Sequence, residues 1–256
     1  MENSKIEWTD HTFSPWTGCT KVSDACQNCY AEAWAKRAGK PELWAGERRR
    51  TTADYWKQPL KWNAKANAEG VRRRVFCASL ADVFDNQVPS VWLMELWSLI
   101  RDTPHLNWLL LTKRPQNMRG RLPATWGDGW PNVWLGTTVE NQAEADRRIP
   151  HLLAVPAAVR FLSCEPLLGS IKFAAVPGFN RVGLSLRNWW VICGGESGPH
   201  KRPMNLDWAR SLRDQCAAAG VSFFGKQWDK VQPLPPDLAI RQFPASARCS
   251  GSESKP

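Results

Sequence analysis

The sequence predicts an α/β fold, a TIM-like βα barrel, closed or incomplete, of six or seven βα units with a cysteine cluster loop after the first strand. Short apolar runs recur along the 256 residues without polar alternation, as strands of a parallel sheet covered on both faces require. Successive runs start about 30 residues apart, the length of one βαβ unit. Helix-patterned segments lie between them, and repeated strand-helix alternation leads to a barrel or a doubly wound sheet.

The first strand is expected just before Cys19, and the others over residues 74–79, 107–112, 132–138, 159–164, 189–193 and 221–225. Ser90 is placed as the N-cap of a helix with Val91, Leu96, Leu99 and Ile100 on its apolar face and Thr103-Pro104 at its end. Asn205 is placed as the N-cap of another, with Leu206, Ala209, Leu212 and Cys216 on one side and Gly220 as its stop. No Gly-x-Gly-x-x-Gly turn follows a strand, which argues against a dinucleotide-binding sheet and favours the barrel. Residues 1–230 form one domain in this reading. From Val231 onward proline, serine and charge accumulate, which sets 231–256 apart as a tail with 246–256 expected to be disordered.

Composition narrows the setting. No run is apolar and long enough to span a membrane, and the opening segment lacks the charge and apolar blocks of a signal peptide. A cytoplasmic location follows, where the eight cysteines do not build a disulfide framework. Cys77, Cys164 and Cys193 lie in apolar runs and read as small buried hydrophobes. The net charge of +10 points to an anionic partner, nucleic acid or nucleotide. Basic residues gather at Arg48-Arg49-Arg50, Arg72-Arg73-Arg74, Lys113-Arg114, Arg147-Arg148 and Lys201-Arg202. Of the 16 tryptophans, those at core-facing positions such as Trp92, Trp97, Trp108, Trp134 and Trp208 read as packing rather than as a base-stacking surface.

Polar residues gather where the strands end, the side on which βα barrels carry their chemistry. Ser79 and Asp82 follow one strand, and Thr112, Lys113 and Arg114 the next. Thr137, Thr138, Glu140 and Asn141 come after, then Ser163 and Glu165, Gly194 to Ser197, and Lys226 and Gln227. The candidate binding residues are Lys113, Arg114, Thr138, Glu140, Glu165, Gly194, Gly195 and Glu196. Thr138 and Ser163 serve equally well as helix caps. Carboxylates at Glu140, Glu165 and Glu196 that share a centre need a cation or amine to meet. Gly194-Gly195 lets a ligand approach closely, with Glu196 as acceptor, or else forms a flexible turn.

Cys19, Cys26 and Cys29 are the candidate metal ligands. Structural zinc asks for four ligands, and His11 is available as the fourth. A thioredoxin-like pair at Cys26 and Cys29 leaves Cys19 without a role. An iron-sulfur cluster uses all three thiolates and leaves one iron open.

The three-cysteine loop of Cys19, Cys26 and Cys29 after the first strand of a βα barrel resembles the radical S-adenosylmethionine superfamily. Ile6-Glu7-Trp8-Thr9-Asp10, Thr12-Phe13-Ser14-Pro15-Trp16-Thr17-Gly18-Cys19 and Cys26-x-x-Cys29-Tyr30-Ala31-Glu32 carry a narrower likeness, in which the chain is similar to a phage and prophage family of uncharacterised proteins with this three-cysteine motif. Leu111-Thr112-Lys113-Arg114-Pro115, Gly136-Thr137-Thr138-Val139-Glu140-Asn141, Ser163-Cys164-Glu165-Pro166-Leu167 and Gly194-Gly195-Glu196-Ser197-Gly198 extend the likeness to about Trp228. The resemblance implies that Cys19, Cys26 and Cys29 hold three irons of a 4Fe-4S cluster, and that the fourth iron chelates S-adenosylmethionine. One electron would then cleave a carbon-sulfur bond and give a 5'-deoxyadenosyl radical. It further implies that Lys113 and Arg114 neutralise a carboxylate or phosphate, that Glu140, Glu165 or Glu196 meets the amine or ribose, and that a reductant protein supplies electrons.

Three features depart from the superfamily pattern. Six residues, 20–25, fill the first gap where three are usual; Asn28 stands where an aromatic residue is common; and Gly194-Gly195-Glu196 comes late in the chain. The resulting expectation is an enzyme that modifies or repairs a nucleic acid or nucleotide. A reading from another class is a non-enzymatic nucleic-acid-binding protein with a structural zinc or iron-sulfur site.

Overall fold

A computed structural model describes residues 1–179, 188–197, 200–229 and 231–245. The strands are β1 (His11–Phe13), β2 (Trp16–Thr17), β3 (Arg49–Arg50), β4 (Arg73–Cys77), β5 (Leu106–Thr112), β6 (Val133–Thr138), β7 (Val159–Cys164), β8 (Trp189–Gly194) and β9 (Ser222–Gln227). The helices are α1 (Tyr30–Arg37), α2 (Ala53–Trp56), α3 (Gln58–Ala68), α4 (Ser90–Arg101), α5 (Gln142–Leu153) and α6 (Leu206–Ala219).

Seven strands form one parallel sheet in the order β1-β4-β5-β6-β7-β8-β9, curled into a half-barrel whose first and last strands do not pair. β2 and β3 make a separate antiparallel ribbon. The expected α/β barrel class is therefore what forms, in its incomplete version. The strand expected before Cys19 is β1, and β2 turns away from the sheet before the cysteine loop begins.

Both faces of the sheet are apolar, which is why its strands show no polar alternation. Trp8, Phe76, Leu109, Trp134, Phe161, Trp190 and Phe224 pack together in one cluster. The alternate residues on the same strands, among them Val75, Cys77, Trp108, Leu110, Leu162 and Val191, join the larger cluster that includes the helices. Ile6, Trp8 and Phe243 complete the smaller cluster. Trp8 lies 4.7 Å from Phe76 on β4 and 6.2 Å from Trp190 on β8, ring centre to ring centre. Phe243 lies 5.3 Å from Trp190, and Glu7 pairs with Arg241 at 2.8 Å. These residues thus bridge the lumen between strands that the open sheet leaves apart.

Asn205 caps α6 by accepting from the Asp207 N–H at 2.8 Å, and Gly220 ends it with φ 66°, as the sequence implied. Ser90 does not cap α4. It is the first helical residue, Pro89 holds the cap position, and no side chain bonds there. Val91 is 55% exposed, and the buried face is Leu93, Leu96, Trp97, Leu99 and Ile100. Beyond β9, Leu238 is buried, and the Gly225 N–H donates to the Ile240 carbonyl at 2.9 Å, so this stretch covers the sheet edge. The segment 246–256, expected to be disordered, lies outside the described residues. No helix among the described residues is long and apolar enough to cross a membrane.

Candidate functional site

The cysteine loop starts at a glycine for a steric reason. Gly18 has φ +107°, and a Cβ there would stand 2.3 Å from the Glu47 carbonyl oxygen and 2.9 Å from that of Leu43. Backbone bonds from Gly18 to Leu80 (3.1 Å) and from Cys19 to Leu43 (3.0 Å) fix the turn. The residues of the long first gap continue into a 3-10 turn, Asp24–Cys26, and Cys29 holds the cap position of α1. Lys21 spans this gap to Glu32 at 2.8 Å, and Glu32 also pairs with Lys36 at 2.9 Å.

Three ionic contacts, two of them buried, hold the loop against the strand ends. At its start, Arg114 donates to the Thr20 carbonyl and hydroxyl (2.8 Å each), to Asp82 (3.1 Å) and to the Cys19 sulfur (3.5 Å). Arg48 and Asp85, paired at 2.6 Å with 3% and 1% of their side chains exposed, back this contact. In the middle, the Ala25 N–H donates to Glu140 at 3.4 Å, and Glu140 pairs with Arg148 at 2.7 Å, both wholly buried. At its end, Asn28 donates to Glu196 at 3.0 Å, and Arg202 clamps the same carboxylate at 2.5 Å while bonding the Asp24 carbonyl at 2.9 Å. Burial raises the Glu196 pKa, but the hydrogen bonds from Arg202 and Asn28 outweigh it, so the carboxyl titrates below its ordinary value.

Cys19, Cys26 and Cys29 line one cavity of about 700 Å³ together with Lys113, Arg114, Thr138, Glu165, Gly195 and Glu196. Asp82, Ser163, Lys226 and Gln227, also singled out at strand ends, line it too. Glu165 is salt-bridged to Lys226, whereas Lys113 makes no ion pair among the described residues. Ile6, Trp8, Phe76 and Leu111 give the cavity apolar wall.

Two expected binding residues stand elsewhere. Glu140 does not line the cavity, because its carboxylate is consumed by Arg148 and the Ala25 N–H. Gly194 does not line it either and faces Gln227, at the register shift between β8 and β9. Gly195 has a packing reason, since a Cβ there would come within 2.0 Å of the Trp228 carbonyl. Gly198 lies outside the described residues.

The basic runs are largely spent on partners. Arg48 meets Asp85, Arg49 meets Glu42 and Glu47, and Arg50 meets Glu95. Arg73 meets Glu69, Arg74 meets Asp10, Arg147 meets Glu144, and Lys201 meets Asp229. Of these runs, Arg72 and Lys113 make no ion pair among the described residues. Sequence reading missed Arg48, Asp85, Asn28, Arg202, Trp34 and Trp44 as parts of the site. Asn28, inside the Cys-x-x-Cys stretch, carried the clearest signal.

Three thiols lining one cavity are a donor set that an iron-sulfur cluster can use. Among the described residues, no three His, Cys, Asp or Glu side chains stand close enough to share one metal ion. His11, the proposed fourth zinc ligand, stacks on Trp62 at 4.6 Å, and its Nδ1 accepts from the Asn3 N–H. Without a metal, burial pushes the Cys19 thiol up to about 11, Asp82 adding to the rise and Arg114 opposing it. The Arg114 guanidinium is the charge that would offset a thiolate there.

The sequence profile of a family described as protein of unknown function (DUF5131) matches residues 3–245. No curated protein matches the chain. Among solved structures, the fold is similar to spore photoproduct lyase. A cysteine-to-alanine mutant with dinucleoside spore photoproduct gives a TM-score of 0.54, and a tyrosine-to-phenylalanine mutant gives 0.53. Each is 12% identical over 89% of this chain and 78% of the lyase. For a further mutant with bound AdoMet and the same dinucleoside, the TM-score is 0.49 and the chain spans 62% of that lyase chain.

Proposed function

The chain belongs to the DUF5131 family, and from its site we propose a radical S-adenosylmethionine-like iron-sulfur enzyme that acts on a nucleic acid or nucleotide. The observation that carries this reading is one cavity lined by Cys19, Cys26 and Cys29 and by residues at or just beyond the carboxyl ends of β4 to β9. The likeness of the fold to spore photoproduct lyase, solved with a dinucleoside photoproduct, supports the substrate class.

Cys19, Cys26 and Cys29 would hold a 4Fe-4S cluster. When bound and reduced, such a cluster supplies the electron that S-adenosylmethionine chemistry needs. The chain's own residues do the rest. Arg114 offsets charge at Cys19, and Asp82 aims Arg114. The Lys113 ammonium, without an ion pair among the described residues, binds a carboxylate or phosphate entering the cavity. Lys226 and Glu165 present a donor and an acceptor to the polar part of a bound molecule. Trp8, Phe76 and Leu111 exclude water from the wall. Glu196 holds the loop rather than the substrate amine, because Arg202 and Asn28 occupy its oxygens. A cytoplasmic setting with a reductant protein follows from this reading.

Anaerobic purification tests it. The protein is expected to be brown, with absorbance at about 400 nm that Cys29→Ala abolishes. Reduction in the presence of S-adenosylmethionine is expected to release 5'-deoxyadenosine. Stoichiometric zinc and no such absorbance, in protein expressed with iron available, would sink the proposal.

A further inference from the structure

Fourteen of the 16 tryptophans belong to or pack against the two hydrophobic clusters, and Trp34 and Trp44 do not. Both are half-buried, and both line the cavity. Neither has an aromatic ring partner or an indole hydrogen bond among the described residues, whereas Trp97, Trp126, Trp130 and Trp190 each have both.

Trp34 belongs to a stripe. Tyr30, Trp34 and Arg37 recur at helical spacing on α1, and all three line the cavity. Ala31, Glu32 and Ala35 carry the buried side of the same helix. Tyr30 is 49% exposed, with its hydroxyl donating to the Ser79 carbonyl at 2.7 Å, so its ring is fixed across the cavity from the end of β4. Arg37 is exposed and, like Lys5 and Lys113 in the same lining, makes no ion pair among the described residues. Among the described lysines and arginines most are tied into ion pairs; these three cavity cations, like seven others elsewhere, are not.

Uncommitted aromatic faces beside uncommitted cations match the two parts of an unpaired nucleotide, a π-faced base and a phosphate. Bases inside a duplex are already stacked and cannot reach such faces. We propose that Tyr30, Trp34 and Arg37 of α1, with Trp44, form a stacking platform for an unpaired nucleotide beside the cysteine loop. The proposal rests on the reading that the cavity takes nucleic acid, and it narrows that class to single-stranded or flipped-out bases. Because α1 starts directly after Cys29, a base on the platform lies one helix face from the cluster ligands.

Fluorescence anisotropy with a fluorescein-labelled oligothymidylate, free or annealed to its complement, tests this on the anaerobically purified protein. Single strand is expected to bind more tightly than duplex. Trp34→Ala and Trp44→Ala are each expected to weaken single-strand binding about tenfold, while Trp34→Phe keeps most of it. Absence of any binding, equal binding of both forms, or alanine variants that bind like the parent would overturn the platform. Circular dichroism guards against unfolding. The two proposals fail separately. Intact absorbance and 5'-deoxyadenosine release with unaltered binding in the alanine variants removes the platform and leaves the enzyme. Stacking losses in a protein that assembles no cluster remove the enzyme and leave the platform.

Discussion

The Arg114 guanidinium stands 3.5 Å from the Cys19 sulfur and 3.1 Å from Asp82, so one buried cation serves the first cysteine and the end of the neighbouring strand. Arg114→Gln removes a positive charge beside a ligand of the proposed cluster. Reduction adds negative charge there, so the midpoint potential is expected to fall by roughly tens of millivolts. Spectroelectrochemistry of the anaerobic protein measures this. An intact cluster at the parent potential would refute the role. Arg114→Lys is not a rescue, because an ammonium cannot make the four contacts at once.

Gly18→Ala is expected to cost about 3 kcal/mol, since it strains φ +107° and drives a methyl group against two backbone carbonyls that cannot swing away. Urea denaturation reads the loss. The same change at Gly70, whose Cβ position is open though its φ is +65°, is expected to cost less.

Glu140→Ala strands Arg148 in the core with one carboxylate fewer and is expected to destabilise by about 3 kcal/mol. Glu140→Gln keeps a hydrogen-bond acceptor and costs less. Neither is expected to change affinity for S-adenosylmethionine in protein that remains folded, because Glu140 faces the core. A large affinity loss in Glu140→Gln, measured by equilibrium dialysis, would return Glu140 to the ligand site.

Acid is expected to loosen the cysteine loop. Glu196 and Glu32 titrate below the ordinary glutamate value. At each, burial acts upward and is outweighed, by hydrogen bonds from Arg202 and Asn28 at Glu196 and from Lys21 and Lys36 at Glu32. A carboxyl lowered on folding contributes stability that is complete above its unfolded pKa of about 4.3 and is lost as pH falls through the lower folded value. The Tm should therefore drop as pH falls below about 4.3, and Glu196→Gln should flatten part of that drop. An unchanged slope in the variant would show that this pair does not couple to folding.

The strands were legible because a sheet buried on both faces imprints unbroken apolar runs, such as Leu109-Leu110-Leu111, at regular intervals. The cysteine trio was legible because its members are neighbours in sequence. The clamps were not, because their partners are remote: Arg202 reaches Asp24 across 178 residues, and Arg114 reaches Cys19 across 95. Arg48-Arg49-Arg50 looked like a polyanion-binding patch for the same reason. Net charge is visible in a sequence, whereas the carboxylates that pair with these three cations are placed by the fold. Trp34 and Trp44 were hidden among fourteen similar residues with ordinary packing roles.

The remoteness of those clamps sets a timetable for biosynthesis. At the usual elongation rate of about 5 to 20 residues per second, Arg202 leaves the ribosome roughly ten to forty seconds after Cys19. Three thiols thus emerge long before the side chains that will enclose them. If the loop holds the proposed cluster, the nascent chain would need iron delivery timed to its completion, or a chaperone that shields the loop, and premature oxidation at Cys26 and Cys29 would be the failure to look for when the protein is overproduced in air.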